Sequence, residues 1–339
     1  MSKAGKITKI NPTAAIPGGE VFIECQDFEV RSDGDFAVLF NGAAAQIVGA
    51  SSRRVIALVP DEVSGETDVR LRSGANLSEP QRIIIGEKLV DDLHMVANPA
   101  FDTRGERLIV TRSGSRGQQL PVTLFRLSTD GDLEEISGDV MNPTGVAFDA
   151  SGQLFVTSRA EGVVYRLNSN DEVVPFASDL GIATGIAFNK RDEMFVGDRS
   201  GTIYQINSIG EKSVYATLEQ SIAAYHLAFG NDGRLYLTRP NVASFDSIMQ
   251  IDADGEVSTF YRGLGRPQGL AFDRDGNLYV AACLGARRGI VKINNDKEAS
   301  IFVAGMNIVG LCFGLQGEMF VATNEAIFSL ALEIDGMLA

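Results

Sequence analysis

The chain has 339 residues, a formal net charge of −14 and 45% hydrophobic residues. This length is enough for two domains with a large core, and so acidic a chain is not expected to bind nucleic acid or anionic membranes. Its three cysteines lie far apart in sequence and form no disulfide framework, and no stretch reads as a membrane span. Residues 1–5 carry no apolar signal segment, so we expect either a cytoplasmic protein or an exported one whose signal has been removed.

The N-terminal region reads as a series of short strands separated by turns. Alternating apolar residues begin at 6–10, and a Pro-Gly-Gly turn at 17–19 precedes the next strand at 21–23. Further strands are predicted over residues 37–40, 46–48, 55–59, 67–71 and 82–85. Regular short strands between Gly, Pro, Asn and Ser turns are typical of a β-sandwich of about 80 residues, so we assign residues 1–86 to one such domain.

The order of motifs in this region resembles the IPT/TIG family of immunoglobulin-like domains. The motifs are Ile10-Asn11-Pro12, Pro17-Gly18-Gly19, Asp27-Phe28, Phe40-Asn41-Gly42 and Val59-Pro60. Cys25-Gln26 departs from the family, which usually carries Gly there. The resemblance implies a spacer or protein-contact domain more than a catalytic one.

From residue 87 onward, one phrase is repeated six times. Its clearest copy runs Gly269-Leu270-Ala271-Phe272-Asp273, followed by Gly276-Asn277-Leu278-Tyr279-Val280. The other copies, spaced by roughly 40 residues, lie around Phe101, Phe148, Phe188, Phe229 and Phe313. Alternation along a strand puts Gly and Ala on one face and the branched residue and Phe on the other. The thin face of one sheet can therefore pack against the thick face of the next.

In the complete copies three more strand patterns follow the phrase, which makes four strands per repeat. Six such repeats predict a six-bladed β-propeller over residues 87–339, and an all-β protein as a whole. The sixth repeat lacks a fourth strand, and residues 87–90 match fourth strands, so we expect this segment to close the last blade and remove an exposed edge. A residue with positive φ is expected four positions past each Phe, at Gly105, Gly152, Asp192, Gly233, Gly276 and Gly317.

The repeated phrase resembles the repeat of NHL-type propellers and of the gluconolactonase/regucalcin family. In the resembled lactonases, residues that enter the innermost strands supply a Glu, an Asn and an Asp that hold a divalent cation. The matching residues here are Ala97 and Asn98, Thr144, Thr184, Tyr225 with His226, Gln268 and Val309. They include no carboxylate, which a hard cation needs, and Asp198 is the nearest one in register. We therefore predict no metal cofactor, and Ca²⁺ has no support from this ring.

Arginines gather where the second strands end, at the same mouth of the channel. They are Arg112, Arg159, Arg199 and Arg239. One interpretation is that each pairs with a rim acid such as Glu161, Asp198 or Asp246. Another is an anion pocket, because guanidinium forks suit carboxylate or phosphate, and a third is that the side chains splay outward. The predicted ligand-binding residues are these four arginines with Gln268, Thr144, Thr184, Asn98 and Asp198.

His226 replaces the glycine found in four other copies and is the ionisable group best placed for acid–base chemistry. As a general base beside Tyr225, with arginines neutralising a substrate carboxylate, it would suit β-elimination. Some propellers resembling this one are lyases that use such a histidine. A hydrogen-bonded structural histidine is the other interpretation. Longer inserts over residues 113–119 and 240–246 would be able to fold over a mouth.

These residues favour a non-catalytic binding protein. We expect the propeller mouth to bind an anionic small molecule, such as a sugar acid or a phosphate, or an acidic protein partner, with the sandwich as a contact module. The alternative is an enzyme, either a gluconolactonase-like hydrolase or a lyase acting on a carboxylate or lactone substrate, with His226 and Tyr225 as its catalytic residues. Pure scaffolding without a ligand is a third hypothesis.

Overall fold

The computed structural model describes residues 5–28, 36–114, 118–168, 170–241 and 245–338. Within these ranges the chain forms 34 strands and no helix, which confirms the all-β prediction. None of the described residues belongs to a helix long and apolar enough to cross a membrane. The inserts over 113–119 and 240–246 fall partly outside the described ranges.

Ten strands precede residue 86. Their bounds are β1 Lys6–Asn11, β2 Ala14–Ala15, β3 Glu20–Gln26, β4 Phe36–Phe40, β5 Ala43–Ala44, β6 Gln46–Ala50, β7 Arg54–Leu58, β8 Gly65–Ser73, β9 Asn76–Leu77 and β10 Gln81–Ile85. One sheet has the order β1-β3-β7-β6, and the other has the order β2-β10-β8-β4-β5, with β9 paired to β8. Because alternate residues of each strand point inward, both sheets contribute to one core that includes Val21, Val38 and Leu71.

The strands after residue 86 form six four-stranded units, the blades, of which five are separate sheets and blade five is part of a larger sheet. From the innermost strand outward, blade one is β12 Ala100–Asp102, β13 Arg107–Thr111, β14 Leu124–Ser128 and β15 Leu133–Ile136. Blade two is β16 Pro143–Phe148, β17 Leu154–Ser158, β18 Val163–Leu167 and β19 Val173–Ala177, and blade three is β20 Ala183–Phe188, β21 Met194–Asp198, β22 Thr202–Ile206 and β23 Lys212–Thr217. Blade four is β24 His226–Phe229, β25 Leu235–Thr238, β26 Asp246–Ile251 and β27 Val257–Leu264, and blade five is β28 Leu270–Phe272, β29 Leu278–Leu284, β30 Arg287–Ile293 and β31 Ala299–Ala304. Blade six is β32 Ile308–Phe313, β33 Glu318–Thr323, β34 Ile327–Ala331 and β11 Glu87–Val90.

The six blades form a closed ring. Each innermost strand contacts the innermost strand of the next blade, and β32 of blade six contacts β12 of blade one. β11 pairs antiparallel with β34, with Glu87 opposite Ser329, so a strand that precedes the first repeat completes the last blade. The structure is therefore a β-propeller, as the repeats predicted.

Neighbouring blades pack through the two unequal faces of the repeated phrase. Ala147 of blade two lies in one apolar core with Ile186 of blade three. The repeated Phe also packs on an aromatic ring of the preceding blade: the centroids of Phe188 and Phe155 are 5.4 Å apart. Aromatic pairs at this spacing stabilise beyond their burial alone. The thin face of each blade thus receives the thick face of the next.

The hairpin between the first two strands of a blade contains a residue with positive φ. The predicted positions in blades two to six take φ values of 63° to 90°, at Gly152, Asp192, Gly233, Gly276 and Gly317. In blade one the prediction was wrong, because Glu106 has the positive φ, at 50°, and Gly105 does not. There Phe101 pairs with Leu108, which leaves one more loop residue than in blade two and moves the left-handed position on by one.

A continuous sheet joins the N-terminal strands to the propeller. β2 pairs in parallel with β10 and with β31, the outermost strand of blade five, so the combined sheet has ten strands. Arg287 of blade five donates a hydrogen bond of 2.8 Å to the Asn11 carbonyl and lies over the Phe22 ring. The assignment of 1–86 and 87–339 to separate domains stays a prediction, although hydrogen bonds cross that boundary.

Candidate functional site

At the arginine end of the channel, where the innermost strands begin, these strands approach one another closely. A Cβ atom on Gly145 would lie 2.5 Å from the Thr184 carbonyl oxygen, and one on Gly185 would lie 2.5 Å from the Tyr225 carbonyl oxygen. Only glycine permits such an approach of two backbones. Thr144, Thr184 and Tyr225 are accordingly buried, and the strands pack closely against their neighbours at this end, which we call the closed end.

Thr184 and Asn98, two of the polar residues predicted to line this mouth, form hydrogen bonds with strands of the propeller instead. The Thr184 hydroxyl bridges the second strand of its own blade and the start of blade four, with distances of 3.0 and 3.1 Å. The Asn98 amide bridges the innermost strands of blades five and six, with distances of 2.9 and 3.0 Å. The Thr144 hydroxyl lies 3.4 Å from the Asn142 carbonyl, and Gln268 is half-buried. The Thr184 and Asn98 side chains thus stabilise contacts between blades.

Two of the four arginines are engaged in ion pairs. Arg112 donates hydrogen bonds to the Asp92 carboxylate at 3.0 Å and to its carbonyl at 2.6 Å. Arg239 donates to the Glu219 carboxylate at 2.6 Å, and this hydrogen bond lowers the pKa of Glu219. The positive charges of Arg112 and Arg239 are therefore already neutralised by the protein.

The three acids expected to pair with the arginines have other roles. Asp198 is buried and accepts hydrogen bonds of 2.9 and 3.0 Å from two backbone amides, and buried Asp246 accepts two from backbone amides at 3.1 Å. Glu161 accepts from the hydroxyls of Ser158 and Tyr165 at 2.8 and 3.1 Å. Among the described residues, none of these carboxylates forms an ion pair with any of the four arginines.

Arg159 and Arg199 have no carboxylate partner among the described residues. They occupy the same position on neighbouring blades, three residues after the valine of β17 or β21 that pairs with the innermost strand. Arg112 and Arg239 lie one position earlier in their blades, so the four arginines fall into two different sets. Burial, and then the charge of Arg199, lowers the pKa of Arg159, which indicates that the two guanidinium groups are close enough to repel.

Two residues with exposed apolar side chains, Ile182 and Ile222, lie in the segments that bind the Arg199 backbone. The Arg199 amide donates to the Ile182 carbonyl at 3.1 Å, and the Arg199 carbonyl accepts from the amide of Ser221, the neighbour of Ile222. Ile182 and Ile222 are 37% and 53% exposed. Arg199 thus belongs to a surface that combines positive charge with apolar area.

The channel holds a cavity that opens at the other end, where the innermost strands finish. The cavity has a volume of about 480 Å³, and its walls are apolar residues of all six innermost strands, including the six phenylalanines of the repeated phrase. Its rim includes Lys190, Asp192 and the C-terminal residues Met337 and Leu338. Sequence analysis did not predict this cavity, although the repeated phenylalanines were the signal for it.

Of the predicted site residues, Asn98 and His226 line this cavity. His226 is 5% exposed, and its imidazole has no hydrogen-bond partner among the described residues. Burial lowers the pKa of His226 to about 4, so the imidazole is neutral at pH 7. The hydroxyl of Tyr225 is engaged elsewhere, since it donates to the Glu219 carbonyl at 2.5 Å.

The expected combination of a histidine base with arginines is not assembled in the cavity. None of Arg112, Arg159, Arg199 and Arg239 lines it. In the part of the chain that the structure describes, no group of three His, Cys, Asp or Glu residues is arranged to hold a metal ion. The chemistry available in the cavity is therefore a neutral imidazole, which can donate one hydrogen bond and accept another, and the thiol of Cys312, within a mainly apolar wall.

Comparisons with known proteins find the fold but no family. No protein family model matches the chain, and no curated protein matches it. A candidate gluconolactonase has a TM-score of 0.60 at 15% identity, covering 74% of this chain and 93% of its own. An auxiliary nutrient binding protein from Bacteroides ovatus has a TM-score of 0.56 at 9% identity, covering 96% and 97%. Virginiamycin B lyase from Staphylococcus aureus has a TM-score of 0.52 at 12% identity, covering 72% and 96%.

At these identities the likeness concerns the fold alone. The β-propeller found here is similar both to enzymes and to nutrient-binding proteins, and a shared fold does not decide between binding and catalysis. The function must therefore be argued from the residues of the two channel ends.

Proposed function

We propose that this chain is a non-catalytic binding protein and that the arginine end of its propeller binds an anionic small molecule, such as a sugar acid or a phosphate. The observation that carries the proposal is the pair formed by Arg159 and Arg199, which lack a carboxylate partner among the described residues. An anion between two guanidinium groups removes their repulsion and gains charge-assisted hydrogen bonds. Their local potential attracts an anion even though the chain as a whole is acidic.

The surroundings of Arg199 support a ligand that is not purely ionic. Ile182, whose carbonyl accepts from the Arg199 amide, and Ile222 both expose apolar surface near the Arg199 backbone. Such surface near a cation suits a ligand with both a carboxylate or phosphate and an apolar part. An acidic protein partner would satisfy the same chemistry. We favour the small molecule, because two guanidinium groups are enough to bind a single anionic group.

We further propose that residues 1–86 form an immunoglobulin-like sandwich of the IPT/TIG type and that residues 87–339 form the propeller domain. Two sheets around one core, built from β1 to β10, support this assignment. The sheet that continues from β31 through β2 would hold the sandwich in one orientation. A fixed orientation suits a protein-contact module, the role that we propose for it.

The binding proposal is tested by calorimetric titration of the protein with gluconate, glucuronate and inorganic phosphate at low salt. Arg159→Ala and Arg199→Ala should each weaken binding by about 10- to 150-fold, because a hydrogen bond to a charged group contributes roughly 1.5 to 3 kcal/mol. Arg112→Ala and Arg239→Ala are the matched controls and should change the affinity less than about threefold, since Asp92 and Glu219 already neutralise them.

The outcomes separate the alternatives. An equal loss in all four variants would contradict the special role of Arg159 and Arg199. Binding of a polyglutamate peptide in the absence of any response to the small anions would identify an acidic protein partner instead. No response to either class would overturn the anion proposal.

An enzyme remains the second candidate because of one observation, the neutral imidazole of His226 on the cavity wall. A neutral imidazole is the form that acts as a general base. Its separation from the arginines and the engaged hydroxyl of Tyr225 favour binding over catalysis. Turnover of a uronate or a cyclic ester that survives chelation and disappears in His226→Ala would replace the binding proposal.

A further inference from the structure

The cavity at the open end is a second site, distinct from the arginine end. Its volume of about 480 Å³ falls within the range of roughly 300 to 1,000 Å³ typical of pockets that hold small molecules. Ala228 and Ala271 are half-buried on its wall, so the space in front of them is open. A cavity of this size, lined by phenylalanines, offers extensive apolar contact to a ligand.

One polar group faces this space without a partner. His226 stands where Gly145 and Gly185 stand in the preceding blades, at the closed end of the channel. The residue is 5% exposed, its imidazole is unpartnered among the described residues, and its ring nitrogens keep some accessible surface. The Asn98 amide beside the cavity is already bonded to two strands. His226 is therefore the group that a ligand can satisfy.

The charged residues of the site lie at its rim and are engaged by the protein. Lys190 donates to the Asn231 carbonyl at 3.2 Å, and Arg191 donates to Glu193 at 2.7 and 3.0 Å. Asp192 accepts from the amide of Ala150 at 2.8 Å. No other Lys, Arg, Asp or Glu among the described residues lines the cavity. An ion in its interior would have no counter-charge and would lose its hydration.

The C-terminal segment contributes to the opening of the cavity. It crosses from blade six to blade five, where the Met337 amide donates to the Phe272 carbonyl at 2.9 Å and the Arg274 backbone amide donates to the Asp335 carbonyl at 2.8 Å. Met337 and Leu338, both half-buried, add apolar surface to the rim. The apolar lining therefore extends from the closed end to the rim.

We infer that this cavity binds a neutral, mainly apolar small molecule with a single hydrogen-bonding group that reaches the imidazole of His226. Four observations favour this class of ligand. They are the volume of the cavity, its aromatic walls, the absence of interior charge among the described lining residues and the unpartnered imidazole. The inference is independent of the anion site, since no arginine of that site lines the cavity.

The test is a fluorescence titration of the full chain with N-phenyl-1-naphthylamine, a neutral probe that brightens in apolar surroundings, with thermal unfolding to verify that each variant folds. We expect saturable binding at one site. Ala228→Phe should weaken it at least tenfold by filling the cavity, and Ala271→Leu serves the same purpose if the first variant does not fold. Ala50→Phe, on an exposed strand position of the N-terminal region, is the matched control and should leave binding unchanged.

Competition then defines the ligand class. Neutral 1-naphthol should displace the probe at least ten times more effectively than the anion 1-naphthoate, and this preference should fall at least threefold in His226→Phe. Arg159→Ala should have no effect on either competitor, which keeps this test separate from that of the anion site. Failure of the probe to saturate, unchanged binding in folded cavity-filling variants, or preference for naphthoate would each overturn the inference.

Discussion

The two ends of the propeller channel are built from the same six strands but use their polar groups differently. At the arginine end, glycines let the strands converge, and the side chains of Thr184 and Asn98 are bonded to neighbouring backbones. Toward the other end the strands carry Ala and Phe and enclose a cavity that reaches back to the imidazole of His226, which is unpartnered among the described residues. The size of the side chains along one repeated phrase thus decides which end closes and which end can admit a ligand.

The largest effect expected from this difference between the two channel ends is a pH-dependent free energy of unfolding caused by His226. Burial lowers its pKa from 6.5 to about 4 in the folded protein. The unfolded chain therefore binds a proton below pH 6.5 while the folded one does not until about pH 4, so stability should fall as the pH drops through this window. The loss is expected to be about 3 kcal/mol, at 1.36 kcal/mol for each pKa unit.

Denaturant unfolding of wild type and His226→Phe between pH 4 and 7.5 measures this effect. Other groups titrate in the same range, so the difference between the two proteins is the informative quantity. The variant should gain stability relative to wild type as the pH falls from 6.5 to 4. A difference that does not change with pH would mean that the imidazole is solvated, and the open end would then hold a polar and not an apolar site.

A smaller effect is expected from filling the closed end. Gly185→Ala places a methyl group 2.5 Å from the Tyr225 carbonyl oxygen, a backbone atom that cannot move alone. The strands of blades three and four must separate, and we expect a loss of about 1 to 3 kcal/mol in the free energy of unfolding. Gly49→Ala on β6, where a Cβ meets nothing within 4 Å, is the matched control and should not destabilise. Equal stability of both variants would show that the strands do not converge at this end.

The smallest effect concerns the two sets of arginines. Arg159→Gln removes a partly buried charge near Arg199 and should raise the free energy of unfolding by up to about 0.5 kcal/mol. Arg239→Gln breaks the ion pair with Glu219 and should lower the free energy of unfolding by a similar amount. Both effects should shrink in 0.5 M salt because exposed charges are screened. Thermal unfolding at two salt concentrations measures them. A loss of more than 1 kcal/mol in Arg159→Gln would identify Arg159 as a structural residue and weaken the binding proposal.

Local patterns in the chain were enough to predict the blades. The recurrence around Phe148 and Phe188 predicted four-stranded sheets and their unequal faces, because alternation along a strand depends only on neighbouring residues. The match of residues 87–90 to fourth strands predicted the strand β11 that pairs with β34. The one wrong turn, at Gly105, came from an extra loop residue that changes the pairing of Phe101 with Leu108.

The properties of the site depended on partners that the repeats do not specify. The sequence predicted four arginines at one mouth, but Arg112 pairs with Asp92 and Arg239 pairs with Glu219, and both acids lie in links outside the repeated phrase. Arg159 and Arg199 are the two for which we propose a ligand. The repeats alone predicted a central channel axis, because blades that recur in this way pack against one another around a common centre. Which end of that axis is open depends on contacts between residues about 40 positions apart. Those contacts follow from side-chain volumes meeting in three dimensions, and no local pattern encodes them.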